Sequence, residues 1–278
     1  MKLKSKIFSV IFLWLLILGT AMAQEEVKTN ESSWSIGSDL VSRYVWRGIN
    51  LGGSSPSIQP YIEYGFGNED HAFSIGAWGA YSLSGSQTGQ EADLYLSYTF
   101  KDLITLSLTD YFFPDETVDR NNFFNYNMDW AKINSGETDQ TGHVMEAALS
   151  FNGTDKIPIS LLFAMNIWGA DSRNFKEENG NYVAEDGIVF SKYIELGYSA
   201  ALNGIDLDVF IGATLDNPDT ENGEPAGFYG QDSAGLINLG FTLSKEIKVT
   251  ESYSIPISAS LISNPETENI FIVFGISF

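Results

Sequence analysis

A two-residue alternation of apolar and polar side chains is the feature of this sequence that most constrains its fold. In the segment 205–216, Ile205 and every second residue after it are apolar, whereas Asp206 and Asp208 lie on the opposite face. Such a period predicts half-buried β-strands, because successive side chains of a strand point to opposite faces. About twelve segments follow the pattern, each close to the roughly 9–11 residues that a tilted strand needs to cross a membrane. They lie at about 33–47, 56–66, 72–83, 91–100, 103–113, 142–151, 158–168, 188–201, 205–216, 233–245, 253–262 and 269–278.

The connections between these segments alternate between short and long. Tight turns follow segments two, four and eight, at 67–70, 101–102 and 203–204. Longer polar connections follow segments three, five, seven and nine, at 83–90, 114–141, 169–187 and 217–232. A soluble β-sandwich also alternates along its strands, but it has no reason to sort its loops by length. Outer-membrane barrels have short periplasmic turns and long outer loops, so we predict an all-β fold, a transmembrane antiparallel up-and-down β-barrel of about 12 strands.

The N-terminus carries the three parts of a secretory signal peptide. Three lysines within the first six residues precede an unbroken apolar run at 7–18, and small residues lead to Ala23. The run is shorter than the roughly 20 residues that a membrane-spanning helix needs, so we expect cleavage after Ala23. The chain then divides into a signal peptide at 1–23 and an outer-membrane β-barrel at 24–278.

Charge and composition exclude several classes of protein. The formal net charge is −21, and it becomes −24 when the three positive charges of the signal-peptide lysines are removed. Nucleic acid is not an expected partner, because its binding needs a basic surface that neutralises phosphates. The sequence contains no cysteine, so neither a disulfide framework nor a thiolate metal site can form.

Aromatic residues are frequent, with 13 Tyr, 19 Phe and 6 Trp. In a barrel they are expected in girdles at the two membrane interfaces, on the outward face near the strand ends. The residues that fit this position are Trp34, Tyr44, Trp46, Phe66, Tyr81, Phe112, Tyr198 and Tyr253. The expected surroundings of the barrel are therefore outer-membrane lipid.

The last segment ends on an aromatic residue. Ile270, Ile272, Phe274 and Ile276 alternate on one face, and the sequence ends at Phe278 on that face. A final amphipathic strand with a terminal aromatic residue resembles the signal that the barrel assembly machinery recognises in outer-membrane proteins. We therefore expect Phe278 to be an assembly signal and that machinery to be a partner during biogenesis.

The first hairpin carries a resemblance to a known family. From Ser38 to Asn50 the chain reads Ser-Asp-Leu-Val-Ser-Arg-Tyr-Val-Trp-Arg-Gly-Ile-Asn, and after a Gly/Ser loop Pro56 opens Pro-Ser-Ile-Gln-Pro. The aromatic-Val-aromatic-Arg-Gly-Ile piece and the Pro-x-x-Gln piece resemble the opening signature of the TorF-type porin family, a family of largely unassigned function. The resemblance covers the stretch between Ser38 and Pro60. It implies a barrel in the outer membrane of a Gram-negative bacterium and a porin function, with no catalytic residues to carry over.

Strand parity sends a set of charged side chains into the lumen of such a barrel. On the lipid face an arginine would cost roughly 2–4 kcal/mol at the bilayer midplane. The predicted pore-lining residues are Asp39, Arg43, Arg47, Glu63, Asp93, Glu146, Glu195, Asp206 and Asp208. One interpretation is a water-filled, cation-favouring path for the passive diffusion of small polar solutes or ions.

The alternative interpretation is a closed lumen. Arg43 would then pair with Glu63 or Asp39 in a packed network of salt bridges, and the protein would be a structural or binding barrel that acts through its extracellular loops. Twelve strands lie between the roughly eight whose side chains fill the interior and the roughly sixteen that leave an open channel. Both interpretations therefore remain open at the level of the sequence.

The long loops are acidic but lack the regular spacing of a calcium-binding loop, so we expect solvated surface, no metal and no cofactor. The loop 114–141 also contains Phe123, Phe124, Tyr126 and Trp130. These aromatic residues either fold the loop into the lumen as a constriction or pack it onto the rim of the barrel.

A lipid-modifying hydrolase is a distant alternative. Outer-membrane lipases and deacylases use a Ser/His pair near the outer leaflet, and His143 falls in that region with outward parity. Nucleophilic catalysis also needs a serine within hydrogen-bond reach and a third group that orients the histidine. No local motif supplies either, so we expect that the protein is not an enzyme.

The signal peptide leads to a direct prediction about processing. The mature protein begins at Gln24, and its intact mass lacks residues 1–23. Replacement of both Ala21 and Ala23 by Leu removes the small side chains that signal peptidase reads, so the uncleaved precursor accumulates. Mass spectrometry of both proteins measures the difference, and a mature wild-type protein that still starts at Met1 would contradict the assignment.

Overall fold

The computed structural model describes residues 31–84, 89–114, 121–135, 140–251 and 253–278. The predicted signal peptide at 1–23 lies outside these residues and stays a prediction. Among the described residues, no helix is both long and apolar enough to span a membrane.

Twelve antiparallel strands close into one barrel, in which each strand pairs with its neighbours in the sequence. The strands are β1 Glu31–Val41, β2 Ser57–Gly67, β3 His71–Ser82, β4 Glu91–Phe100, β5 Ile104–Phe112, β6 His143–Phe151, β7 Ile159–Gly169, β8 Lys192–Leu202, β9 Ile205–Thr214, β10 Gly235–Lys248, β11 Ser254–Asn264 and β12 Asn269–Ser277. The first strand pairs with the last, with Asp39 opposite Ser277 and Val41 opposite Gly275. The predicted all-β barrel and its strand number are confirmed.

The alternating pattern becomes an apolar outer wall and a polar inner wall. On β12, Ile270, Ile272 and Phe274 are 66%, 63% and 60% exposed, whereas Val273 between them is half-buried. The other strands repeat the pattern with exposed Leu94, Leu96, Leu106, Leu108, Leu161, Phe163, Val209, Ile211, Leu239 and Phe241. Large exposed apolar surfaces on proteins mark sites of contact with other proteins or with membrane.

Tight turns lie at one end of the barrel, as the loop lengths predict. Lys101 and Asp102 join β4 to β5 with φ of 53° and 55°, and Asn203 and Gly204 join β8 to β9 with φ of 53° and 77°. Two consecutive residues with positive φ form the type I′ turn that matches the twist of a two-residue hairpin. The long loops lie at the opposite end, named the outer end of the barrel here.

The prediction for the first strand is wrong in its second half. The strand was expected at 33–47, but β1 ends at Val41 and the chain turns into the barrel. There Val45–Trp46 pairs with Ile49–Asn50 in a small hairpin, named the inner hairpin here. Gly48 at its turn has φ of 77°, and a Cβ at this position would lie 1.7 Å from the carbonyl oxygen of Ile237. Only glycine fits this approach of the inner hairpin to β10.

A second hairpin stands outside the barrel at the outer end. Its strands are Arg173–Glu178 and Asn181–Ile188, and it is named the outer hairpin here. The short helix α1, Trp130–Asn134, lies in the loop between β5 and β6, where the Asp129 side chain caps it by accepting a hydrogen bond from the Lys132 backbone. The outer hairpin takes up the start of the segment predicted as strand eight, so that β8 begins only at Lys192.

The loop between β5 and β6 packs onto the outside of the barrel rim. His143 has the same strand parity as the exposed Leu149, and yet its side chain is fully buried. Phe123 and Tyr126 cover it, with ring centroids 5.2 Å and 4.1 Å from the imidazole. Phe124, between them, is 91% exposed. The sequence left open whether these aromatic residues fold into the lumen or pack onto the rim, and in the structure they pack onto the rim.

Both ring nitrogens of His143 contact oxygen atoms. Nδ1 lies 2.8 Å from Oδ1 of Asp110, and Nε2 lies 2.7 Å from the carbonyl oxygen of Phe123. Both distances are within hydrogen-bond range, so the imidazole links Asp110 on β5 to the loop that covers it. The Tyr126 hydroxyl also donates to Asp110, at 2.8 Å. The expectation that the protein is not an enzyme stays a prediction.

Replacement of His143 by Ala is expected to release this loop while the barrel stays closed. The variant loses the buried hydrogen bonds to Asp110 and Phe123, at a cost of about 1–3 kcal/mol, which corresponds to about fivefold to 150-fold more local opening. Chymotrypsin cleaves after aromatic residues, so cleavage at Phe123–Tyr126 rises accordingly. Heat-modifiable gel migration is unchanged, because the backbone pairing of β5 with β6 needs no imidazole.

The matched control is replacement of His71, whose ring contacts the Tyr98 hydroxyl at the opposite end of the barrel. This change leaves the cleavage of the loop as in the wild type. Equal cleavage of the His143 variant and the wild type would show that His143 does not hold the loop.

Candidate functional site at the outer end of the lumen

A buried charge pair lies where the inner hairpin meets the barrel wall. The guanidinium of Arg47, at the tip of the hairpin, donates two hydrogen bonds to the carboxylate of Glu146 on β6, one of them at 2.9 Å. It also donates to the hydroxyl of Tyr229, at 3.0 Å. The two charged side chains are only 10% and 3% exposed. A two-pronged contact of this kind satisfies both groups in a fixed geometry.

Aromatic rings enclose this pair. The guanidinium carbon of Arg47 lies 4.5 Å from the ring centroids of both Trp46 and Tyr193. Trp46 stacks on Tyr229 and meets the edge of Tyr111, at 5.9 Å and 5.5 Å between centroids. A cation over an aromatic face is stabilised most where water is excluded. The rings therefore hold the arginine in place and keep water from the charge pair.

Hydrogen bonds connect the pair to the neighbouring wall. The Tyr111 hydroxyl donates to Glu146 at 3.1 Å, and the Tyr193 hydroxyl donates to Glu195. Asn238 on β10 donates to Glu195 at 2.8 Å. Burial raises the pKa of Tyr229 well above its usual range, so its hydroxyl stays protonated beside Arg47.

The start of the inner hairpin forms a second anchor. The hydroxyl of Tyr44 donates to Oε2 of Glu91 at 2.7 Å, and the ring lies 5.5 Å from that of Trp78. Burial raises the pKa of Tyr44 far above its usual range, so this donor also stays protonated. Tyr44 and Trp46 were predicted on the outward girdle, and both predictions are wrong. The backbone leaves the barrel wall at Val41, so strand parity no longer decides where these side chains point.

The plug is the name used here for the inner hairpin together with Tyr44 and Tyr229. Of the predicted pore-lining residues, the structure brings Arg47, Glu146 and Glu195 together at the plug, and Asp93 is buried beside Glu91. Arg47 reaches the lumen from the hairpin and not from β1.

The other predicted pore-lining residues lie apart from the plug. Arg43 lies over the ring of Phe271, 5.7 Å from its centroid. Among the described residues it has no ion pair with Glu63 or Asp39, so the pairing that the closed-lumen interpretation expected is wrong. Glu63 instead accepts a hydrogen bond from Tyr95 at 3.0 Å.

The inner end of the lumen differs from the plugged end. Asp206 and Asp208 are exposed there, and Asp208 accepts a hydrogen bond from Ser199 at 2.6 Å. Small hydroxyl side chains pair across strands on the inner wall, namely Ser74 with Ser97, Thr99 with Thr105 and Thr242 with Ser260, at 2.8–2.9 Å. At the plugged end, the rings of Trp46, Tyr193 and Tyr229 pack against one another. Whether any of these residues lines a conducting path stays a prediction.

Several residues of the plug could not be found from strand periodicity. Tyr229 lies in a loop, where no period indicates which way a side chain points. Glu91 lies two residues before Asp93 on the same strand, so strand parity could have predicted that its side chain points inward. Among the described residues, no group of three His, Cys, Asp or Glu side chains has the arrangement of a metal site.

Comparisons with known proteins identify a family, and the solved structures that match include Wzi and the β domain of Brka. A family described as "Bacterial protein of unknown function (Gcw_chp)" matches residues 26–169, about half of the chain. The match includes the first hairpin, but the description names no porin, so the TorF-type assignment stays a prediction. No curated protein matches the chain.

The structural similarities are weak. The first structure is Wzi, an outer-membrane protein involved in group 1 capsule assembly in Escherichia coli and described as a carbohydrate-binding β-barrel. Its TM-score is 0.29 at 9% identity, over 89% of this chain and 56% of that chain, so this chain spans little more than half of it. The second is the β domain of the Bordetella autotransporter Brka, with a TM-score of 0.27 at 11% identity, over 90% of this chain and 98% of that chain. At these scores neither structure bears on the function.

Replacement of Arg47 by Ala is expected to destabilise the barrel strongly. The change leaves the carboxylate of Glu146 buried without its cation, and breaking a buried pair from one side costs about 3–5 kcal/mol. The double replacement of Arg47 by Met and Glu146 by Leu removes both charges and costs clearly less. Urea unfolding in detergent micelles measures the free energy of unfolding of the wild type, the single variant and the double variant.

The matched control for this series is Lys101→Ala, which removes an exposed pair with Asp70 at 3.8 Å. An exposed pair contributes at most about 1 kcal/mol, so this variant unfolds close to the wild type. A single Arg47 variant as stable as the Lys101 variant would contradict the role of the charge pair.

Proposed function

Since this chain belongs to the bacterial Gcw_chp family, whose function is unknown, we propose its function from its own residues: it is an outer-membrane β-barrel with a lumen closed at the outer end, and it acts by binding through its outer loops. The coarser part of this statement, a closed barrel of twelve strands, is the fold already described. The membrane location, the closed state and the binding role are the proposal.

The apolar outer wall supports the membrane location. Leaving a large apolar side chain in water forgoes about 1.5–3 kcal/mol of burial free energy, and the exposed apolar residues occur on strands around the barrel. The hydrocarbon chains of lipid would bury these apolar side chains. In a closed barrel every strand pairs on both sides, so the backbone N–H and C=O groups form hydrogen bonds within the sheet. Lipid cannot form these hydrogen bonds, so only a closed sheet can cross a membrane.

The buried pair of Arg47 and Glu146 is the observation that carries the closed state. An open pore needs a continuous path of water, and charged side chains that line such a path are hydrated. These two side chains are instead almost completely buried, under the rings of Trp46, Tyr193 and Tyr229. With the lumen filled at this level, the surface left for contact with the outside is that of the long loops and the outer hairpin.

A porin that passes small polar solutes is the second candidate function. The hydroxyl-lined inner end of the lumen favours it, together with the exposed Asp206 and Asp208, which would favour cations. In this case the plug would have to move, and the contact of Arg47 with Glu146 would be the latch that keeps it closed.

Conductance across a planar bilayer separates the two candidates. The refolded wild-type barrel is expected to show no discrete current steps. A variant in which residues 44–51 are replaced by a short Gly/Ser linker lacks Tyr44 and the inner hairpin but keeps Glu146, Glu195, Asp206 and Asp208. It is expected to conduct, with a reversal potential of cation sign in a salt gradient, because acids then line the opened lumen.

Lys101→Ala, at the opposite end of the barrel, is the matched control and should stay silent like the wild type. Heat-modifiable gel migration establishes that each protein is folded before it is tested. Regular current steps from the folded wild type would overturn the closed state and leave the porin as the function. A silent linker variant would show that the inner hairpin is not what closes the lumen.

A further inference from the structure

A cavity of about 340 Å³ lies at the outer end, beside the loop that carries Tyr229. Its walls come from the outer hairpin, from the start of β8 and from the loop that follows β9. The side chains that matter for its chemistry are Asp171, Arg173, Phe175, Ser191, Asp216 and Glu224. Cavities that hold small molecules in proteins start at roughly 300 Å³, so this one is large enough for a ligand.

Two residues that line the cavity each have a buried polar side-chain atom without a partner among the described residues. Ser191 is fully buried, and its hydroxyl forms no hydrogen bond within the described part of the chain. Nε of Arg173 is also buried and unpartnered among these residues. Leaving such a group unsatisfied costs about 1–3 kcal/mol each, and the great majority of buried polar groups in proteins are paired. A ligand hydroxyl that reaches either atom would supply the missing hydrogen bond.

The carboxylates around the cavity are already partly occupied. Asp171 accepts from the Asn166 side chain at 3.0 Å and from the Ser191 backbone at 2.9 Å. Asp216 accepts from the backbone and the ammonium of Lys192, at 2.9 Å and 3.0 Å. Each of these oxygens keeps one lone pair free, so the carboxylates can still accept from a ligand.

The cationic side of the cavity is formed by Arg173. Its guanidinium has no ion pair with an acid among the described residues; it donates to the side chain of Asn134 and lies 5.9 Å from the ring of Phe175. The cavity therefore presents hydrogen-bond donors, hydrogen-bond acceptors and an aromatic ring together. Pro218 and Pro225 add apolar surface.

We infer that this cavity binds a neutral ligand with several hydroxyl groups, of the size of one or two sugar rings. A hydroxyl group donates and accepts with one atom, so neighbouring hydroxyls can accept from Arg173 while they donate to Asp171 and Glu224. An anionic group would meet three carboxylates, and a cationic group would meet the guanidinium of Arg173. The flat apolar face of a sugar ring also matches Phe175. This inference rests on the proposed function, in which the protein binds through its outer loops.

Saturation-transfer NMR on the folded protein in detergent tests the ligand class. The neutral probes are D-glucose, D-galactose and maltose, and the charged probes are D-glucosamine and D-glucuronate, which share the ring but add a cation or an anion. At least one neutral probe is expected to bind at least fivefold more tightly than both charged probes. If no neutral probe binds, or if a charged probe binds more tightly, the inference is wrong.

Variants of the cavity locate the binding. Arg173→Lys keeps the positive charge but removes Nε, and it should weaken binding of the neutral probe about tenfold. Ser191→Ala removes the unpartnered hydroxyl and should weaken binding severalfold while the barrel still migrates as a folded protein. Lys176→Ala is the matched control, because it lies on the same outer hairpin, pairs with Glu178 and Glu185, and does not line the cavity. Unchanged binding in the Arg173 variant would place the sugar elsewhere and overturn the site.

The result is independent of the conductance measurement. If a neutral sugar binds and the wild-type barrel also conducts, the proposal of a closed lumen is wrong but the proposal of a sugar-binding cavity is supported. If the barrel is silent and none of the neutral sugars binds, the closed state stands but the cavity does not hold this ligand class.

Discussion

Closure of β1 onto β12 is the constraint on which the rest of the structure depends. A sheet with an open edge leaves backbone N–H and C=O groups unpaired, at several kcal/mol for each group in lipid. Pairing of Asp39 with Ser277 and of Val41 with Gly275 removes that edge. Closure also divides space into an outside and an inside, so the two-residue alternation acquires its meaning: apolar side chains face outward and polar side chains line the lumen.

The inner hairpin exists because the lumen of a twelve-strand barrel is too wide for side chains of the wall to fill alone. The chain supplies extra groups from the loop after β1, and a buried arginine brings its own requirement for a carboxylate, which Glu146 meets. The aromatic rings of Trp46, Tyr193 and Tyr229 complete the packing around the charge. A buried pair of this kind adds little net stability over apolar packing, but it specifies one position for the hairpin.

The successes and failures of sequence-based reasoning have physical causes in particular residues. The alternation at Ile205–Thr214 and the turn at Asn203 and Gly204 are local properties, and the structure has both as predicted. Tyr44 and Trp46 were misplaced, because the strand pattern continues past Val41 although the backbone leaves the wall there. His143 has outward parity as predicted, but its burial beneath Phe123 and Tyr126 depends on how a distant loop folds.

The sequence by itself determined the strand number, the short turns at one end and the separation of apolar and polar faces, because each follows from interactions between residues close together in the chain. The tertiary structure alone decided that Arg47 meets Glu146 across 99 positions and Tyr229 across 182, and that Arg173 and Ser191 line one cavity. Contacts over such separations depend on where loops without periodicity enter or cover the barrel. No local pattern encodes that choice, because it is made by the packing of side chains that meet only once the barrel has closed.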